Sequence, residues 1–115
     1  MKENVILKLT FEFALEIIEY CEILENNRKF VIANQLLKSG TSIGANIREA
    51  QNAESKNDFI HKFKIAAKEI EETFYWLELC NCSKNYENTD KLIESLLSIA
   101  KVTNKIISTS KNNKN

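Results

Sequence analysis

Glu49, Glu69 and Glu72 are the carboxylates in this chain whose surroundings invite an acid–base reading. Glu49 stands with Asn46 beside apolar Ile43, Ile47 and Ala50. Glu69 and Glu72 fall near the same level on a following helix. A positioned carboxylate pair of this kind can move protons. A helical di-iron site would need two Glu-x-x-His units. The chain offers one related spacing, Asp58-x-x-His61, and no second histidine. Cys80 and Cys82 lie two apart, about 200° around a helix, and zinc would need further ligands. The expectation is therefore no enzyme, no catalytic residue, no metal and no cofactor. Asn46 and Glu49 instead join a hydrogen-bonded network that fixes helix register, or reach solvent. Cys21, Cys80 and Cys82, an odd number without a secretion signal, read as ordinary reduced thiols.

The other chemistry on offer is phosphate binding. Lys62, Lys64, Lys68 and His61 make the segment around residues 61–68 basic, with Arg48 and Lys56 close to it in sequence. The plain alternative is a solvated helix face with i,i+4 pairs such as Lys68 with Glu72. Which reading holds depends on the elements that carry these side chains.

The chain has 115 residues, no proline and two glycines. One domain of that length can bury a real core, and the scarcity of turn formers favours long helices joined by short polar turns. Formal net charge is zero, so the bulk charge draws the protein to neither nucleic acid nor an anionic membrane. The first residues, MKENVILKLTFEF, lack the apolar core and small-residue cleavage site of a signal peptide. No apolar run approaches the roughly 18 residues of a membrane span. A soluble, cytoplasmic protein without membrane association is expected.

Hydrophobic periodicity predicts four helices. The first covers about 4–25. Its polar positions Lys8, Glu12, Glu16, Glu19 and Glu22 cluster on one side. Apolar residues fill most of the rest, including Ile6, Phe13, Ile17 and Leu24 but also Leu7, Ala14 and Ile18. That surface is wider than the stripe a helix needs in a monomeric bundle, so the helix buries a second face by self-association. The second helix covers about 30–52. The third, about 56–82, has Ser55 as N-cap, Asp58 in a capping-box-like role, and Phe59, Phe63, Ala66, Ile70, Phe74 and Leu77 on one face. The fourth covers about 89–109. Residues 1–110 form one all-α domain, an antiparallel up-down-up-down four-helix bundle, and 111–115 form a frayed tail.

Inside the second helix runs QLLKSGTSIGANIRE, residues 35–49. Glycine costs roughly 1 kcal/mol against alanine in a helix interior. Ser39, Gly40, Ser42, Gly44 and Asn46 are therefore expected where neighbouring helices pack closely. Gly40-x-x-x-Gly44 resembles a membrane dimer motif, but flanking Lys38 and Arg48 favour a contact between helices in water. It is not a phosphate loop, because no Gly-Lys-Ser/Thr follows.

The bundle topology sorts the charges. The start of helix one, end of helix two, start of helix three and end of helix four share one end. That end holds eleven bases and five acids, and the other five bases and eleven acids. Zero net charge hides a polarised rod. Copies assembled side by side in parallel would join their basic ends into a phosphate-holding face, with Arg48, Lys56, Lys62, Lys64 and Lys68 as the contact residues. The rival is polarity that serves only assembly and solubility. Phe74, Tyr75 and Trp76 cannot all face one core, so one or two belong at a subunit interface.

Three stretches carry a family likeness: FEFALEII at 11–18, QLLKSGTSIGANIREA at 35–50 and SKNDFIHKFKIAAKEIEETFYWLELC at 55–80. Through them, nearly the whole chain resembles the small bacterial four-helix-bundle proteins first found encoded in intervening sequences of 23S ribosomal RNA genes. The fourth helix matches weakly, and Lys38 stands where the family often has arginine. The resemblance implies a bundle that assembles as a ring, typically a homopentamer. Related bundles are accessory proteins of diversity-generating retroelements, where a basic ring associates with reverse transcriptase and nucleic acid. The resemblance supplies no catalytic residues. Its implied partners are other copies of the chain, RNA or a ribonucleoprotein and, by analogy alone, reverse transcriptase. The alternative is a protein-interaction scaffold without nucleic acid.

Overall fold

The computed structural model describes residues 2–112, with side chains from Val5 onward. It contains four helices, α1 (Lys2–Asn26), α2 (Phe30–Ala50), α3 (Lys56–Cys82) and α4 (Asp90–Asn112), and no strand among the described residues. The third helix has its expected bounds. The second ends two residues earlier than its pattern suggests, and the fourth runs on through Lys111 and Asn112. Residues 113–115 of the expected tail lie outside the described residues.

Each helix packs on its sequence neighbour, and α1 closes on α4. Among the described residues the backbones of α1 and α3, and of α2 and α4, stay apart, so the helices stand in a square, antiparallel in sequence order. The rod measures 51 × 21 × 20 Å. The α2–α3 and α1–α2 seams are the most extensive, and the α1–α4 seam is the thinnest.

One stripe per helix fills the centre. Ile6, Phe13, Ile17 and Leu24 of α1 meet Leu36, Ile43 and Ile47 of α2, Phe63, Ile70 and Leu77 of α3, and Leu96 and Ile99 of α4. The small residues of α2 face this centre. A Cβ added at Gly40 would stand 2.9 Å from Ile17 Cγ2 and 3.0 Å from Ile17 Cγ1. One at Gly44 would stand 3.2 Å from Thr10 Oγ1. The glycines thus let α1 and α2 approach more closely than alanine would, and this close packing is what offsets their poor helix propensity. Ser39 is buried, and its Oγ lies 3.0 Å from Thr73 Oγ1 across the α2–α3 seam. Ser42 and Asn46 are half-buried and bond within α2, Ser42 Oγ to the Lys38 carbonyl and Asn46 Nδ2 to the Ser42 carbonyl.

The turns are fixed by specific bonds. After α1, the Arg28 N–H donates to the Glu25 carbonyl and the Lys29 N–H to the Leu24 carbonyl at 2.8 Å. Arg28 sits at φ 65°. This is a Schellman motif with arginine in the left-handed place that glycine fills at lower cost. At the start of α3, Ser55 Oγ accepts from the Asp58 N–H at 3.0 Å. Asp58 Oδ2 returns a bond to the Glu54 N–H, one residue before the cap. The last turn is pinned by Tyr20, whose hydroxyl donates to the Glu87 carbonyl at 2.7 Å, and by buried Thr89, whose Oγ1 donates to the Leu77 carbonyl.

Candidate nucleic-acid interface

The α2–α3 turn sets the end of the rod where the basic residues gather. The second half of α2, the first half of α3, the start of α1 and the end of α4 meet there, as their antiparallel order requires. Among the described side chains this end carries nine bases (Lys8, Arg48, Lys56, Lys62, Lys64, Lys68, Lys101, Lys105 and Lys111) against Glu12, Glu49, Glu54 and Asp58. The opposite end carries Arg28, Lys29, Lys38, Lys84 and Lys91 against eleven acids.

The five candidate contact residues share this end but not one face. Lys56, Lys64 and Lys68 are exposed and form no ion pair among the described residues. Lys62 turns toward α2, where its Nζ donates to Glu49 Oε1 at 2.9 Å. That bond, followed by the Glu49 charge, holds its ammonium above the usual lysine range. Arg48 lies on the α1–α2 side, its guanidinium 5.9 Å from the centre of the Phe11 ring. It walls a groove of about 250 Å³ together with Leu7, Thr10, Phe11, Ala14, Thr41, Gly44 and Ala45. The basic side chains freest of partners are thus on the outward side of α3, with Lys64 and Lys68 one helical turn apart.

Two of the three carboxylates that suggested acid–base work, Glu49 and Glu72, have side-chain partners. Glu49 holds Lys62, so it bridges α2 and α3 by an ion pair, while Asn46 bonds back within its own helix. Glu72 accepts from Trp76 Nε1 at 3.0 Å rather than pairing with Lys68. Burial, and then the Glu72 charge, raise the Glu69 carboxyl, with Lys38 opposing. Asp58 is committed to the helix cap, and His61 is exposed. No group of three or more His, Cys, Asp or Glu side chains among the described residues stands close enough to hold a metal. Cys21 and Cys80 are buried, Cys82 exposed, and all three are free thiols. Burial pushes the Cys21 thiol up to about 12, which keeps it protonated and unreactive. Among the described residues no helix is long and apolar enough to cross a membrane.

Two features escape the sequence reading. The Ser39–Thr73 contact is one, because Thr73 occupies a core position of the α3 stripe and looks like a β-branched filler. The other is a second aromatic groove of about 470 Å³ at the far end, lined by Arg28, Lys29, Phe30, Val31, Ile32, Gln35, Trp76 and Tyr86. The adjacency of two bases to Phe30 and Val31 was its only signal.

A family model described as 23S rRNA-intervening sequence protein matches residues 2–108. The chain is also similar to a protein of unknown function from the S23 ribosomal protein family of Bacteroides thetaiotaomicron VPI-5482, known from its crystal structure. The two share 43% identity and superpose with a TM-score of 0.89, over 94% of this chain and 99% of the other. No curated protein matches the chain significantly.

Proposed function

Because the chain belongs to the 23S rRNA-intervening sequence protein family, we propose that it is a non-enzymatic, cytoplasmic, homo-oligomeric bundle whose basic end binds RNA or a ribonucleoprotein. The observation that carries this reading is the segregation of charge along a rigid rod, with nine bases against four acids at one end in a molecule of zero net charge. Lys56, Lys64 and Lys68 would neutralise phosphates without competing carboxylates, and Lys62 would add less because Glu49 already holds it. Contacts of this kind read the backbone, so affinity would be salt-dependent and sequence preference slight.

Assembly is supported by the outer side of α1. Phe11, Leu15 and Ile18 remain 54%, 50% and 39% exposed in one copy, although each is large and apolar. A ring of parallel copies, five by family resemblance, would bring the basic ends together. The reading is tested by titrating the purified protein with a structured RNA across a salt series, in parallel with the K64E/K68E variant. Tight binding that falls steeply with salt and is lost in the variant supports it. No binding at low salt overturns it and leaves a protein-interaction scaffold.

A further inference from the structure

The aromatic groove lies at the end of the rod away from the basic cluster. The α1–α2 turn, the start of α2, the second half of α3 and the α3–α4 turn meet there. Phe30 is 58% and Val31 81% exposed, and half-buried Trp76 and Tyr86 line the groove beside them. Trp76 Nε1 donates to Glu72 Oε2 at 3.0 Å, which orients the indole. Two cations, Arg28 and Lys29, line the groove, and no carboxylate does. Neither forms an ion pair among the described residues, although this end holds eleven acids. Lys29 instead lies over the Tyr86 ring, 5.1 Å from its centre. The first turn of α2, where Phe30 and Val31 stand, contains no acidic residue and has no side-chain cap. The positive end of that helix therefore adds to the field of the two cations.

Aromatic side chains left partly in water beside unpaired cations suit contact with another molecule. Three properties select its kind. The groove is open along Phe30 and Val31, whereas pockets for small molecules enclose most of their ligand. Eleven acids against five bases at this end repel a polyphosphate chain, so nucleic acid is disfavoured here. Two cations balance one or two carboxylates, and the acids around them disfavour a longer acidic run. We propose that the groove docks a segment of a partner protein in which an aromatic or branched apolar side chain stands next to one or two carboxylates. The apolar side chain covers Phe30, Val31 and Trp76, and the carboxylates meet Arg28 and Lys29. The groove and the basic cluster lie at opposite ends of a rod 51 Å long, so this partner and an RNA would not compete. The docking site stands whether or not the basic end binds RNA.

The test follows the fluorescence of Trp76, the only tryptophan, during titration with end-blocked peptides. Gly-Ser-Glu-Phe-Asp-Ser-Gly should shift the emission to the blue and saturate by about millimolar concentration. The same peptide with Gln and Asn for its acids should bind about tenfold more weakly, and the one with alanine for phenylalanine should not bind. R28E/K29E should lose the acidic peptide and accept instead the one with Lys on both sides of Phe. V31D, which places a carboxylate in the groove, should lose the acidic peptide too. Circular dichroism checks that both variants fold. The proposal is overturned by the absence of a saturable shift, by equal binding of the acid and amide peptides, or by unchanged binding in R28E/K29E. A saturable shift with tetrauridylate that the acidic peptide reverses would assign the groove to nucleic acid, and phenylacetate binding as tightly as the peptide would make it a small-molecule site. Either result overturns the proposal as well.

Discussion

Gly40 of α2 rests against Ile17 of α1 with no room for a further carbon between them. A Cβ at position 40 would lie 2.9 Å from Ile17 Cγ2, and Ile17 is wholly buried. The clash falls on the methyl carried by the branched Cβ, next to the backbone, which cannot swing aside. Gly40→Ala gains roughly 1 kcal/mol of helix propensity and incurs an overpacking cost of about 1–3 kcal/mol, so the two nearly offset at best. The expected outcome is a net loss of about 1 kcal/mol in urea unfolding. Gly44→Ala meets Thr10 at 3.2 Å and 3.3 Å, which a shift of a few tenths of an ångström relieves, and it should be nearly neutral. In an Ile17→Ala background the loss at position 40 should disappear. Equal effects of the two alanines would show that close approach at Gly40 does not set the α1–α2 distance.

The hydroxyls of Ser39 and Thr73 form a polar contact inside an apolar seam, with the Glu69 carbonyl 2.7 Å from Thr73 Oγ1. Each hydroxyl keeps a carbonyl of its own helix when the other is removed, Glu69 for Thr73 at 2.7 Å and Leu36 for Ser39 at 3.4 Å. Ser39→Ala and Thr73→Val should therefore each cost only about 0.5–1.5 kcal/mol, and the double variant less than their sum. A double-mutant cycle by chemical denaturation measures the coupling, and strict additivity would mean that the contact adds nothing.

For RNA, Lys64→Glu with Lys68→Glu should abolish binding while sedimentation shows the oligomer intact. Single alanines at Lys56, Lys64 or Lys68 should each reduce the slope of log affinity against log salt by about one. Lys62→Ala should reduce it less, since Glu49 shares that charge. Equal slopes for Lys62 and Lys64 variants would show that the Glu49 pair opens on binding.

Burial holds the Cys21 thiol at about 12 against an ordinary 9.0, and also raises the Tyr20 hydroxyl above its ordinary 10.0. Both folded values exceed the unfolded ones, so the unfolded chain loses these protons first. The stabilisation is complete below pH 9 and falls as pH rises from there toward 12. Urea midpoints should hold steady from pH 7 to 8.5 and decline by pH 10.5. Cys21→Ala should flatten the decline while lowering the midpoint at every pH. A Cys21→Ala profile parallel to that of the unaltered protein would assign the loss to other groups.

Much of the fold was legible because α3 obeys local rules. Ser55 and Asp58 fix its start, and a stripe spaced at three and four residues fixes its buried side. The square arrangement followed from short turns. Less legible was how α2 and α3 are locked. Asn46 and Glu49 were the evident polar candidates; Glu49 bridges the helices only by an ion pair to Lys62, and Asn46 turns back on its own helix, while Ser39 and Thr73 make the buried link. A hydroxyl can bond along its own helix or across a seam, and sequence does not distinguish the two. The first turn shows the same limit. Asparagine tolerates a left-handed backbone better than arginine, and Asn26 and Asn27 stand ready, yet the hydrogen bonds from Arg28 and Lys29 to Glu25 and Leu24 put Arg28 there. For the basic end, sequence located the charges, but only side-chain geometry separates Lys62, already held, from Lys64 and Lys68.

The thin α1–α4 seam has a consequence for how the chain comes into being. Synthesis delivers α1, α2 and α3 first, and both extensive seams can form among them before α4 leaves the ribosome. The last helix then closes on α1 through its least extensive contact, and it brings Thr103, whose buried hydroxyl has no partner among the described residues. In the finished molecule the same helix has the least packing to hold it, so its backbone amides should exchange with solvent ahead of those in the other three. A nascent three-helix form with its core side open is therefore the state most exposed to mispairing.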